Sequence, residues 1–103
     1  MKTIKWVALT CTLALPGVVQ AAGFSSAELN AVTCFSCHGA EGQPAGGAIP
    51  PLSVYPEAYM AQSLKDIKSG KKNVTIMKRH ISAYSDAEID ALAKYISSLN
   101  KKR

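Results

Sequence analysis

Apolar residues recur at helical spacing in three stretches of this chain, and each stretch is bounded by residues that commonly begin or end helices. The clearest pattern is the last one, in which apolar residues lie three and four positions apart: Ile89, Leu92, Ala93, Ile96 and Leu99. This spacing gathers side chains on one face of a helix. Ser85 and Glu88 can form a capping box at its start. We therefore predict an amphipathic helix that packs one face against a core.

The first of the three stretches begins at Ser25, which can form a similar capping box with Glu28. Leu29, Val32 and Phe35 follow at helical spacing. Apolar residues at this spacing share one face of a helix. We therefore expect a helix that runs from Ser26 into residues 34–38 and carries these three residues on one face.

A second helix is predicted between Pro56 and Gly70, which suit the first turn and the end of a helix, respectively. Residues 39–51 are rich in Gly, Pro and Ala and cannot hold regular structure for long. Residues 71–84 form a less regular, basic segment with room for a short helix. Neither strand alternation nor internal repeats appear. The chain is therefore predicted to be all-α, with three main helices.

The N-terminus has the pattern of a secretory signal peptide. Two lysines precede a short apolar run from Trp6 to Leu15, and small residues precede a cleavage point after Ala21. We expect residues 1–21 to be removed, within one residue, which leaves residues 22–103 as one domain. The apolar run is too short for a membrane span, and no later stretch reaches that length. The mature protein is therefore expected in the periplasm.

Residues Cys34–His38 carry the motif Cys-x-x-Cys-His, which is the signature of covalent c-type haem attachment. On a helical turn, Cys34, Cys37 and His38 share one face because they stand at positions i, i+3 and i+4. The two thiols can then form thioether bonds with the haem vinyl groups while His38 binds the iron from the same side. A domain this small usually needs a disulfide, a metal or a covalently bound cofactor to be stable. We therefore expect one covalent haem c.

Three other chemistries suit a Cys-x-x-Cys pair. A redox-active disulfide usually sits in a βαβ context, which the surrounding residues do not show. A zinc site would need both thiols, His38 and His80, and adjacent Cys and His residues are unusual zinc spacing. A structural disulfide between Cys34 and Cys37 is the simplest alternative. The histidine directly after the second thiol, in an exported chain, favours haem over all three.

The sixth iron ligand can come from Met60, Met77 or His80. Met60 lies within the periodic pattern of the second helix, where methionine usually serves packing. Met77 lies in the irregular segment, where iron ligation would explain an apolar residue, and His80 gives a bis-histidine alternative. We expect Met77. With His38 and Met77 both on the iron, no position remains for a substrate, which predicts outer-sphere electron transfer. An open iron position would instead indicate a haem enzyme or a ligand sensor.

The Cys-x-x-Cys-His motif, the Pro-Pro-Leu sequence at 50–52, Met77 and the start of the last helix together resemble the small class I c-type cytochromes. The resemblance covers essentially the whole mature chain. It implies N- and C-terminal helices that cross beside the haem. It also implies that the Pro50 carbonyl accepts a hydrogen bond from His38 Nδ1, that Leu52 packs on the proximal haem face, and that Met77 is the distal ligand.

Within that family, Thr75–Arg79 followed by Ala83–Asp86 is most similar to the cytochrome subunits of flavocytochrome c sulfide dehydrogenases. Those subunits carry one or two haem domains and receive electrons from a flavoprotein, so the resemblance implies a flavoprotein sulfide dehydrogenase subunit as partner. The single Cys-x-x-Cys-His motif implies a single haem. The alternative is a free soluble cytochrome, of the c5 or c553 type, that carries electrons between respiratory complexes.

The chain has a formal net charge of +5, and basic residues concentrate around the irregular segment: Lys65, Lys68, Lys71, Lys72, Lys78 and Arg79. Charge runs are usually solvated faces. The functional alternative is a docking surface that steers acidic partners and raises the association rate. Aromatic residues are not interleaved with these cations, and export also argues against nucleic acid. We therefore expect protein redox partners.

Overall fold

The computed structural model describes Thr3 and residues 23–102. Its helices are α1 Ser26–His38, α2 Glu57–Ser69, α3 Met77–Ile81 and α4 Asp86–Asn100, with a 3-10 turn at Ala40–Gly42. No β-strand occurs in this part of the chain, so the all-α prediction is confirmed. Among the same residues, none of the helices has the length and apolar character that a membrane crossing requires. Apart from Thr3, the predicted signal peptide lies outside the described residues.

Helix α4 supplies half of the buried core and follows the predicted pattern. Ile89, Leu92 and Ile96 are at most 1% exposed, and α4 packs against both α1 and α2. Its capping box is present: Glu88 N donates to Ser85 Oγ at 3.2 Å, and Ser85 N donates to Glu88 Oε2 at 2.7 Å. Two backbone donors of the first turn are thereby satisfied. The local capping signal and the periodic apolar face therefore agree on the same helix.

Helix α1 has the predicted bounds, but the face that carries its large apolar residues is not the buried one. Leu29 and Val32 are 56% and 62% exposed, and Phe35 is only half-buried, whereas Ala31 is fully buried. The inward face consists of Ala31, Cys34 and His38, which stand at i, i+3 and i+7. Small Ala31 fits where α1 packs against α4. Two side chains with candidate chemistry, Cys34 and His38, therefore face the interior in place of the largest apolar ones, whereas Cys37 is exposed.

Helix α2 begins one residue after Pro56. It ends at Ser69, and Gly70 caps it in a left-handed conformation with φ 85°. Met60 and Leu64 are its buried residues. Two ion pairs join it to α4: Lys65 Nζ lies 2.7 Å from Asp90 Oδ1, and Lys68 Nζ lies 3.5 Å from Asp86 Oδ1. Because all four side chains are partly solvated, each pair adds little stability. The apolar contacts therefore hold α2 on α4.

Helix α3 occupies part of the segment that the sequence pattern left irregular. It spans five residues and buries only Ile81, which is 2% exposed. Met77 is its first residue, so Met77 begins this short helix rather than lying in a loop. A five-residue helix contains too few positions for a periodic apolar pattern to be recognised.

Candidate haem site

The imidazole of His38 is buried and held by a single backbone oxygen. The ring is at the end of α1, the residue is 7% exposed, and Nδ1 lies 2.7 Å from the carbonyl oxygen of Pro50. Because a carbonyl oxygen can only accept, Nδ1 carries the hydrogen and donates it. The lone pair of Nε2 is then available for a metal. A hydrogen bond of this kind orients metal-binding histidines and raises their basicity.

Two glycines allow the chain to turn back so that Pro50 reaches His38. Gly39 has φ 87° and ψ 162°, and a Cβ there would overlap the carbonyl group of Gln43. Gly42 has φ 77°, and its carbonyl oxygen accepts from Leu52 N at 2.9 Å. These conformations are strongly disfavoured for residues with a Cβ. The glycines therefore fix the path that returns residues 50–52 to the end of α1.

The two thiols next to His38 differ in their surroundings. Cys34 is half-buried and packs against the core, whereas Cys37 is exposed, and both are free. Burial raises the pKa of the Cys34 thiol. Both the redox-active and the structural alternative require a disulfide between Cys34 and Cys37. The two thiols are free in this structure. His80, which the zinc alternative requires, is exposed, and no group of three or more metal-binding side chains occurs among the described residues.

The three candidates for a distal ligand lie in different environments. Met60 is 3% exposed within the core, as its packing interpretation predicts. His80 is exposed on α3. Met77 is half-buried and packs against the core, as does Leu52 on the segment that follows Pro50. Met77 is thus the candidate with a thioether that is neither enclosed in the core nor directed fully into solvent.

The chemistry of this donor set fits a haem. Two thiols and an imidazole with a fixed tautomer lie within five residues of one helix, Cys34–His38. Half-buried apolar side chains, Cys34, Leu52 and Met77 among them, pack against the same hydrophobic core. Two free thiols beside an imidazole whose Nε2 is available fit a covalently attached iron porphyrin.

Some contributors to the site were not predicted from the sequence. The left-handed conformations of Gly39 and Gly42 had only the general composition of their loop as a signal. The hydroxyls of Thr33 and Tyr84 lie 3.4 Å apart and connect α1, just before Cys34, with the residues between α3 and α4. A local sequence pattern cannot predict this hydrogen-bonded pair, because 51 positions separate the two residues.

The family described as cytochrome c matches residues 25–100, which include every helix and the complete donor set. The chain belongs to the cytochrome c family. It is 36% identical over 93 residues to cytochrome c4 of Pseudomonas aeruginosa, a match that covers 89% of this chain and 46% of that protein. The chain thus spans about half the length of that cytochrome c4.

Two relatives match over most of their own length. The cytochrome subunit of sulfide dehydrogenase of Chlorobaculum tepidum is 33% identical over 78 residues, which are 76% of this chain and 70% of that protein. Cytochrome c-553 of Helicobacter pylori is 37% identical over 70 residues, which are 67% of this chain and 73% of that protein. Together with the family match, these relatives confirm the resemblance to class I c-type cytochromes.

Family membership identifies the cofactor and the general activity. The cofactor is covalently bound haem c, and the protein is an electron-transfer cytochrome. Because Cys-x-x-Cys-His occurs once in the sequence, the chain carries a single haem.

Proposed function

We propose that Cys34 and Cys37 bind the haem through thioether bonds and that His38 and Met77 are its two axial ligands. The observation that carries this proposal is the 2.7 Å hydrogen bond from His38 Nδ1 to the Pro50 carbonyl. A buried imidazole with one tautomer and one orientation is prepared to bind iron. The bound haem supplies a one-electron redox centre. With both axial positions filled by protein, electrons leave and enter without a substrate on the iron.

The protein residues contribute orientation and a nonpolar environment. Pro50 accepts the hydrogen bond that orients the imidazole ring of His38, and Leu52 packs against the core two residues later. Met77 is favoured over His80 as distal ligand because Met77 packs against the core, whereas His80 is exposed. A thioether ligand raises the reduction potential relative to a second histidine. The chain is therefore expected to operate at the potential of a His/Met cytochrome.

Axial ligation is tested by replacing Met77 with Ala and recording the absorption spectrum of the ferric protein. We expect loss of the weak near-infrared band that a sulfur ligand gives, and rapid binding of carbon monoxide by the reduced variant. Met60→Leu is the matched control, because Met60 is buried in the core and its replacement should leave the band unchanged. An unchanged spectrum in Met77→Ala would contradict His/Met ligation.

Covalent attachment is tested by mass spectrometry of the purified protein. We expect the polypeptide mass to increase by that of one haem, and Cys34→Ser and Cys37→Ser together to abolish the increase. The same spectrum reports the proposed cleavage after Ala21, within one residue. A purified protein that keeps residues 1–21 would contradict the proposed cleavage, and one without haem mass would contradict the attachment proposal.

We propose further that this cytochrome receives electrons from a flavoprotein, as the cytochrome subunit of a sulfide dehydrogenase. The relative from Chlorobaculum tepidum, whose name describes that role, supports this assignment. The second candidate is a free carrier between respiratory complexes, which the similarity to cytochrome c-553 of Helicobacter pylori supports. In both cases the site is an electron relay, and the two candidates differ in the partner.

Purification of the tagged protein from its native host separates the two candidates. A sulfide dehydrogenase subunit should elute with a flavin-containing protein, and the complex should reduce the haem when sulfide is added. A free carrier should elute alone, and sulfide should leave its haem oxidised. The second result would overturn the subunit assignment and leave the electron-transfer function intact.

A further inference from the structure

We propose that the hydrogen bond between Tyr84 and Thr33 positions Met77 and thereby strengthens the bond between Met77 and the haem iron. Tyr84 is a positioning residue, since it acts through the segment that carries the ligand. This inference rests on the proposed His/Met ligation and adds a pair of residues that determines how firmly the distal ligand is held.

The two helices that carry the proposed ligands do not pack directly against each other. Among the described residues, α1 packs against α4 and the 3-10 turn, whereas α3 packs against α2. His38 ends α1, and Met77 begins α3. Because the proposed thioethers attach the haem to α1, the position of Met77 relative to the iron depends on how the rest of the protein connects α3 with α1.

Contacts on both sides of Met77 hold its segment in place. Before Met77, Lys72 Nζ donates to Ser63 Oγ at 2.8 Å, which fixes the segment to α2. After it, the end of α3 is buried in the core, and the Tyr84 hydroxyl lies 3.4 Å from Thr33 Oγ1. Among the hydrogen bonds of the described residues, the Tyr84 contact is the one that joins this segment to α1.

The hydroxyl of Tyr84 is the donor in this pair. Thr33 Oγ1 donates its own hydrogen to the carbonyl oxygen of Asn30 at 2.7 Å, so it accepts from Tyr84. The same carbonyl oxygen lies 3.6 Å from Cys34 Sγ. Tyr84 is thus connected through Thr33 to the helical turn that contains the first proposed thioether.

The ring of Tyr84 can transmit this restraint to α3. The side chain is half-buried and packs against the core. Its backbone N donates to the carbonyl oxygen of Ile81 at 3.1 Å, which closes the turn directly after α3. Loss of the hydroxyl would release the end of the ring at α1 and leave the packing of the ring in place. The Met77 segment would then be held through α2 and the core alone.

The experiment measures imidazole binding to the ferric holoprotein by stopped-flow absorbance. Imidazole can bind only after Met77 leaves the iron, so at high imidazole concentration the observed rate reaches a limit set by Met77 dissociation. Tyr84→Phe removes the hydroxyl and keeps the ring. Tyr95→Phe is the matched control, because Tyr95 also packs half-buried against the core and its hydroxyl has no hydrogen-bond partner among the described residues.

We expect Tyr84→Phe to raise the limiting rate about 3-fold, as loss of a modest hydrogen bond should, and Tyr95→Phe to change it by less than about 1.5-fold. Thr33→Val removes the acceptor and should give the same increase, whereas Thr33→Ser keeps the acceptor and should react as the wild type does. Because both changes break one hydrogen bond, Thr33→Val with Tyr84→Phe should again give about 3-fold rather than about 9-fold. Wild-type rates in the single variants, or rates that multiply in the double variant, would overturn the inference.

A variant of lower stability separates positioning from a general loosening of the fold. Ser25→Ala removes the side-chain cap of α1 and leaves the pair of Tyr84 and Thr33 intact. It should lower Tm at least as much as Tyr84→Phe does, yet its limiting rate should equal that of the wild type. If Ser25→Ala accelerates imidazole binding equally, the rate follows stability alone and the positioning role is wrong.

The near-infrared band of the ferric wild type separates this inference from the proposed function. With that band present, unchanged limiting rates in the variants refute the positioning role alone. A wild type that lacks the band refutes Met77 ligation and, with it, this inference, while covalent haem attachment remains.

Discussion

Replacing Gly39 by Ala should destabilise the protein because it disturbs the turn that brings Pro50 to His38. Gly39 follows the proposed iron ligand directly, and its backbone has φ 87° and ψ 162°. Essentially only glycine adopts this combination. Its carbonyl oxygen also accepts from Gly42 N at 2.9 Å, so a change of backbone conformation at Gly39 is transmitted to the next turn.

The structure indicates two contributions to the loss of stability. A residue with a Cβ in this conformation costs about 1–3 kcal/mol. The Cβ would also overlap the carbonyl group of Gln43 and lie 2.5 Å from Pro44 Cα, and both neighbours are backbone atoms that cannot rotate away. Relief of such overpacking costs a further ~1–3 kcal/mol. Together, roughly 2–6 kcal/mol is a large share of the stability of a small domain.

Thermal unfolding of the holoprotein, followed by circular dichroism, measures this loss. We expect Gly39→Ala to lower Tm by more than about 8 °C, since each kcal/mol corresponds to roughly 4–8 °C in a domain of this size. Gly46→Ala is the matched control, because a Cβ there has no heavy atom within 4 Å. Equal Tm values for the two variants would refute the argument that the conformation of Gly39 fixes the loop.

Three further predictions concern the helices. Ile89→Ala should cost about 2–5 kcal/mol in chemical unfolding, whereas Ile76→Ala, at an exposed position, should cost far less. Ser85→Ala should cost about 1 kcal/mol through loss of the α4 cap, also by chemical unfolding. Backbone and side-chain hydrogen bonds with Ser25 lower the pKa of Glu28. The stabilisation that Glu28 provides is complete above the ordinary pKa of about 4.3 and is lost as the pH falls through the lowered value. The Glu28→Gln variant should therefore lose less stability than the wild type in an acid titration.

Features encoded by neighbouring residues were predictable from the sequence. Helix α4 could be predicted because its capping box and its apolar face both lie within one continuous stretch. The cysteines and His38 were identified because their chemistry requires fixed spacing. The hydrogen bond between His38 and Pro50 crosses only 12 residues, yet it depends on the positive φ values at Gly39 and Gly42, and composition does not specify those.

The buried face of α1 could not be predicted for a different reason. Periodicity identifies an inward face by the largest apolar residues, but on α1 the positions that face the interior are taken by Ala31, Cys34 and His38. The larger apolar residues Leu29 and Val32 lie on the exposed side of the helix. Apolar periodicity alone therefore does not identify the buried face of a helix whose inward positions are small or polar.

The distribution of the core links the redox site to stability. Among the described residues, the buried apolar side chains come mainly from α4 and α2, whereas α1 contributes Ala31 alone and α3 contributes Ile81 alone. The two helices with the fewest buried apolar residues are therefore the two that carry the proposed ligands, His38 and Met77. A ligand from each helix on one iron would connect elements that the protein core connects only weakly. With the proposed ligands His38 and Met77, the haem would stabilise the fold as well as carry the electron, since a small domain buries little apolar surface of its own.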